Sequence, residues 1–207
     1  MAFTKTHATG PVAEEARKYG RDYAGLLAEL DDISPLARRW AARDLTDHPA
    51  ASVALLERLK KEQDLSVREV ILTTLVRLAD AVAVVGLVGF LRGEDVALRN
   101  EAIEAMKQLP DQVASIMGDL LSDADPDVRI FAVNILESLR HPMVESWLIA
   151  VLDRDSEVNV CGAAVDLLAE VGSAAARAPL QRLRARYPDE PYIQFATELA
   201  LSRITDV

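Results

Sequence analysis

Three histidines, one cysteine and a recurring set of aspartates and arginines are the residues of this 207-residue chain whose types could do chemistry. The histidines are His7, His48 and His141; the last two each precede a proline, and the first sits in a polar stretch. No two lie at the i, i+4 spacing that a helical metal site uses, so they are expected in turns and no metal is expected. Cys161 stands between Val160 and Gly162 with no histidine near it in sequence, which reads as a small buried hydrophobe and not a nucleophile. A single cysteine makes no internal disulfide and no multi-cysteine zinc site, which fits an intracellular chain. Gly86-Leu-Val-Gly89 lacks the Lys-Ser/Thr or third glycine of a phosphate cradle and reads as helix packing.

The aspartates and arginines recur. Asp64-Leu-Ser-Val-Arg68, Asp95-Val-Ala-Leu-Arg99 and Asp125-Pro-Asp-Val-Arg129 share an acid, two residues, an aliphatic residue and an arginine, with the arginines 31 and 30 residues apart. Ser34-Pro-Leu-Ala-Arg38 is a weaker upstream copy, Glu157-Val-Asn-Val-Cys161 a downstream one, and Glu190-Pro-Tyr-Ile-Gln194 a degenerate sixth. Recurrence assigns these residues to structure before catalysis. The acids suit helix starts, where a carboxylate accepts orphan backbone N–H groups, and Arg68, Arg99 and Arg129 can pair with the acid of their own or a neighbouring repeat. No catalytic residue is expected among them.

The elements that must hold these groups are helices. Aliphatic or small residues return four, eight and eleven positions after each key residue, as in Val67, Ile71, Leu75, Leu78 and Val128, Ala132, Leu136, Leu139, which is one helical face. Ser34 before Pro35, Asp125 before Pro126, and Ser66 with Glu69 supply start signals. Partner helices are expected near 51–61, 81–92, 112–121, 143–152 and 174–186, so each repeat is a helical hairpin. Composition agrees: 50% of residues are hydrophobic, only 5% aromatic, and mean hydropathy is +0.09, a folded chain rich in helix formers. The longest apolar run, 81–91, is about half the roughly 20 residues a membrane span needs, and no signal peptide is expected, since the opening residues hold no apolar core.

The Asp-x-x-Val-Arg helix with an apolar partner before it resembles the HEAT repeat, most closely the short kind found in phycobilin lyases and many bacterial proteins. The resemblance covers about residues 32–204. It implies an all-α, right-handed α-solenoid of about five HEAT-like helical hairpins with an N-terminal capping helix, the Val-Arg helices lining the concave surface and forming a hydrogen-bonded ladder of Asp64, Arg68, Asp95, Arg99, Asp125 and Arg129. Stacking follows from physics too, since a two-helix unit cannot bury both faces alone. Residues 11–30 read as the amphipathic cap, 1–10 as a flexible arm, and 11–207 as one solenoid domain. HEAT-fold hydroxylases bind iron through His-Glu pairs, which this chain lacks.

Charge narrows the partner. Residues 111–172 hold twelve of the 33 acidic residues against three basic ones, while Arg38, Arg39 and Arg43 cluster near the start. HEAT-fold DNA glycosylases need a basic concave groove with aromatics; here the expected lining is Arg39, Arg43, Glu69, Thr73, Asn100, Glu104, Lys107, Ile130, Asn134, Glu137, Asp166 and Glu170, so no nucleic acid and no membrane is expected. A second expected contact surface is an outer apolar patch at Val84 and Val88 on the helix 81–91. The reading is a non-enzymatic, cytoplasmic, bacterial adaptor that binds another protein on its polar concave face and carries no cofactor. The alternative is a phycobilin-lyase-like chromophore- or cofactor-loading protein.

Overall fold

A computed structural model describes residues 18–204 of the chain. The arm expected over 1–10, His7, and residues 11–17 of the expected cap lie outside the described residues. Among those described, twelve α-helices follow one another without a strand: α1 (Tyr23–Leu30), α2 (Pro35–Asp44), α3 (Ser52–Leu59), α4 (Leu65–Leu78), α5 (Ala81–Leu91), α6 (Val96–Met106), α7 (Pro110–Leu120), α8 (Pro126–Leu136), α9 (Val144–Arg154), α10 (Val158–Val171), α11 (Arg177–Arg186) and α12 (Pro191–Arg203). Most starts are chemically marked. Side chains of Asp22, Ser34, Asp64, Asp80, Asp95 and Asp125 accept hydrogen bonds from first-turn backbone N–H groups, and prolines occupy the opening of α2, α7, α8 and α12.

Consecutive helices pair as hairpins, α1 with α2 through to α11 with α12. The described part of the expected cap is therefore the first arm of a sixth hairpin: bends lie around 18–22, and Asp22 starts the helix at Tyr23. Hairpins stack in order, second helices on second throughout, and first helices on first from α3 through α7 and again from α9 to α11. The second helices pack more closely along the stack than the first, which makes their row the inner side of an α-solenoid. Val67, Ile71 and Leu75 of α4 are wholly buried, as are the matching Val128, Ala132 and Leu136 of α8 and Val160, Ala164 and Leu168 of α10. They belong to one continuous cluster of buried residues running from Leu26 to Ile204.

The outer apolar patch needs correction. Val84 is buried, only 5% exposed, and Val88 is half-buried against the core. The helix α5 is rotated relative to the expectation, because Ala83, Val84, Leu87 and Leu91 together form its buried stripe, and the side chains left outside are Val82 and Val85. An all-apolar helix carries no polar face to set its rotation from sequence.

Candidate functional face on the second helices

The arginines occupy a repeated brace. In the first four of the six hairpins the guanidinium reaches the backbone carbonyl six residues earlier: Arg38 to Asp32, Arg68 to Glu62, Arg99 to Gly93, and Arg129 to Asp123, at 2.7–2.9 Å. That bond ties the second helix to the loop that enters it. The remaining nitrogens cross to the next hairpin. Arg38 makes two hydrogen bonds of 2.7 Å to Glu62, Arg68 reaches Asp95 at 2.6 Å, and Arg129 grips Asp155 at 2.7 and 2.9 Å. Asp64 and Asp125 cap their own helices and do not receive these arginines, whereas Asp95 both caps α6 and receives Arg68.

Two rungs depart from the pattern. Arg99 has no carboxylate across the seam; its guanidinium lies 5.2 Å from the centroid of Phe131, and Nε is buried without a hydrogen bond. The acid in the equivalent position, Asp123, is bonded by Arg92. Cys161 stands where an arginine would, with Sγ 3.5 Å from the Asp155 carbonyl, and Arg186 comes from α11 to bond the same carbonyl at 2.9 Å. Burial pushes the Cys161 thiol up, against the pull of Arg186. For Glu62, burial alone would raise the pKa. The hydrogen bonds from Arg38, the Asp64 N–H and Arg58 overcome that and hold it down to about 2.

With aspartate and arginine engaged in bracing, the groups left facing outward lie on the second helices. Residues 39, 69, 100, 130, 162 and 195 form one row by repeat register, and 43, 73, 104, 134, 166 and 199 a second. Arg39, Arg43, Glu69, Thr73, Asn100, Glu104, Asn134, Glu137, Asp166 and Glu170 are exposed, and Lys107 and Ile130 half-buried. Several are already answered: Lys107 bonds Glu104 at 2.9 Å and lies 3.7 Å from Glu137, and Tyr192 donates its hydroxyl proton to Asp166. The Tyr192 ring lies over Gly162, where an added Cβ would meet it at 3.0 Å.

Three residues on this face escape the sequence reading. Tyr192, Phe195 and Leu199 end the two rows in an aromatic and aliphatic patch, 52%, 66% and 37% exposed. Carrying the repeat register past the degenerate sixth copy would have found the last two. Between α4 and α6 the face opens a cleft of 540 Å³ lined by leucine, valine and glutamate side chains, and between α8 and α10 a smaller one of 220 Å³ around Asn134, Glu137, Asp166 and Glu170. On the opposite side, a 340 Å³ recess separates α7 from α9 beside Trp147, which is half-buried and stacked on His141 at 5.1 Å. Among the described residues no three His, Cys, Asp or Glu side chains gather as a metal ion requires, and no helix is long and apolar enough to cross a membrane.

The family model for HEAT repeats matches residues 114–202. Similar solved structures include a designed armadillo repeat protein in complex with the peptide (KR)4, 19% identical over 87% of this chain and 98% of that one, with a TM-score of 0.47. The CpcE–CpcF complex of phycocyanin lyase from Nostoc sp. PCC7120 is 17% identical over 97% of this chain and 100% of that one, with a TM-score of 0.38. Human deoxyhypusine hydroxylase, in complex with glycerol, is 18% identical over 87% of this chain and 83% of that one, with a TM-score of 0.43. Likenesses this loose bear no weight on activity. No curated protein matches the chain.

Proposed function

We propose that the chain, whose residues 114–202 match the family model for HEAT repeats, is a HEAT-repeat protein and a non-enzymatic scaffold whose second-helix face binds another protein. The observation that carries this reading is the division of labour among polar groups. The arginines and acids of the hairpin loops are spent inside the stack, while two rows of residues run along six second helices, mostly with exposed side chains, the first interrupted at the half-buried Ile130 and at Gly162. Those rows change character along the stack, from Arg39 and Arg43 through Glu69 and Glu104 to Asp166 and Glu170, and end at Phe195 and Leu199. A partner with the reverse order of charge would be oriented on it as well as held. Interfaces of this kind place apolar anchors within a polar surround, which the Tyr192, Phe195 and Leu199 patch beside polar rows supplies. On the same reading the protein works in the cytoplasm, where a lone thiol stays reduced.

Photo-crosslinking tests it. A p-benzoylphenylalanine at Thr73 or Asn134, expressed in the native host, should attach to one defined protein, whereas the same probe at Val85 on the first-helix side should not. Attachment from Val85 alone would overturn the assignment of the face.

A further inference from the structure

We infer that the cleft between α4 and α6 receives a partner segment in which an arginine stands next to an aliphatic residue. This rests on the binding reading above and names the chemistry of what is bound. The floor is apolar: Leu65, 67% exposed, with Leu72, Val76 and Ala105 behind it. The rim is acidic, since Glu69 comes from α4 and Glu101 and Glu104 from α6, and no cation lines the cleft. The nearest positive groups are committed elsewhere. Arg68 directs its hydrogen bonds to Asp95 and to the Glu62 carbonyl, and Lys107 sits on the side of α6 toward α8, bridging Glu104 and Glu137.

One acceptor of the rim is closed off from a guest. Glu101 Oε2 is buried, makes no hydrogen bond, and lies 3.8 Å from Arg68 Nη1, beyond hydrogen-bonding reach. Burial pushes its carboxyl above the usual range, opposed by Arg68. The carboxylates exposed to a guest are Glu69 and Glu104. A guest guanidinium has donors in a planar fork able to serve two carboxylates at once, which a compact ammonium does less well. The neighbouring aliphatic side chain would cover Leu65, an exposed leucine adjoining an open depression. The cleft is too open to enclose a small molecule, so affinity has to come from a chain lying along the face.

The test uses the whole protein and synthetic probes. A fluorescein-labelled decapeptide with a central Leu-Arg-Leu-Arg is titrated by anisotropy beside one carrying Leu-Glu-Leu-Glu and one carrying Ser-Arg-Ser-Arg. The first should bind tighter than each of the others by roughly tenfold or more, the scale of losing a charged or an apolar anchor. Glu69→Gln with Glu104→Gln, and separately Leu65→Ser, should each erase that preference, while Val85→Ser on the first-helix side should keep it. Equal affinity for the three peptides, measured on the unaltered protein and hence independent of any variant's folding, overturns the inference. So does a preference that survives both cleft variants. If that occurs while a probe at Asn134 still crosslinks a partner, only the cleft assignment falls; crosslinks from the first-helix side alone remove the binding face with it.

Discussion

Glu62 accepts more hydrogen bonds than Asp95 or Asp155, the other acids of the rungs. It is wholly buried, takes two hydrogen bonds from Arg38 and one from Arg58, and accepts backbone N–H groups of Gln63 and Asp64. Glu62→Gln should cost roughly 3 kcal/mol at neutral pH, because two guanidinium groups lose a buried anion. The pH dependence has a definite sign. The carboxyl goes from its ordinary 4.5 in the unfolded chain down to about 2 in the fold, so its contribution is complete above 4.5 and drains away as pH falls toward 2. The difference in melting temperature between wild type and Glu62→Gln should shrink over that window; a constant gap would contradict the assignment. The rungs also differ among themselves. Arg129→Ala strands the buried Asp155 and should cost roughly 3 kcal/mol, whereas Arg99→Ala removes a carbonyl bond and a ring contact worth about 1 kcal/mol, with partner binding intact in both. Chemical denaturation of the two variants decides it. Ala79 ends α4 in the left-handed region with φ of 48°, so Ala79→Gly should raise stability by about 1 kcal/mol.

At the level of the helix, two glycines of similar sequence context should respond oppositely. A Cβ at Gly86 in α5 would sit 2.3 Å from Leu56 Cδ1, whereas one at Gly118 in α7 would meet nothing within 4 Å. Gly86→Ala should therefore destabilise by roughly 1–3 kcal/mol through overpacking, and Gly118→Ala should stabilise by about 0.5–1 kcal/mol through helix entropy, as thermal melts of the pair would register. The helices themselves were legible before any coordinates. The outer ones begin and end within two or three residues of where turn residues and prolines place them, because the apolar period stops where those residues interrupt it. What was not legible depends on the third dimension. The rotation of α5 is set by neighbours, since its own residues are apolar all round. The acids of the rungs, Glu62 and Asp155, lie six residues before an arginine or its substitute, and so outside the five-residue motif that drew attention to Asp64 and Asp125. Tyr192 over Gly162 joins two copies that had each lost the arginine, and a motif search is weakest where the motif has decayed.

Across the whole molecule the stack is uneven. The hairpin α5–α6 meets α7–α8 through the rung that lacks its carboxylate, and α7 hardly touches α9, leaving the recess beside Trp147. Stability in such an array is close to a sum of units and seams, so the weakest seam sets where it parts. Native-state hydrogen exchange should find the amides of α7 opening at lower denaturant than those of α10 and α12, which pack tightly on each other; simultaneous opening of all three would show that the seams are equivalent. The rungs also give the array a direction. In Arg38–Glu62, Arg68–Asp95 and Arg129–Asp155 the cation always belongs to the earlier hairpin and the anion to the later. During synthesis each guanidinium is thus made some 25 residues before the group that neutralises it, and it cannot shed its charge while it waits. A nascent chain halted between hairpins is left with an arginine it cannot silence, while a fragment begun between hairpins is left with an acid that can simply take up a proton.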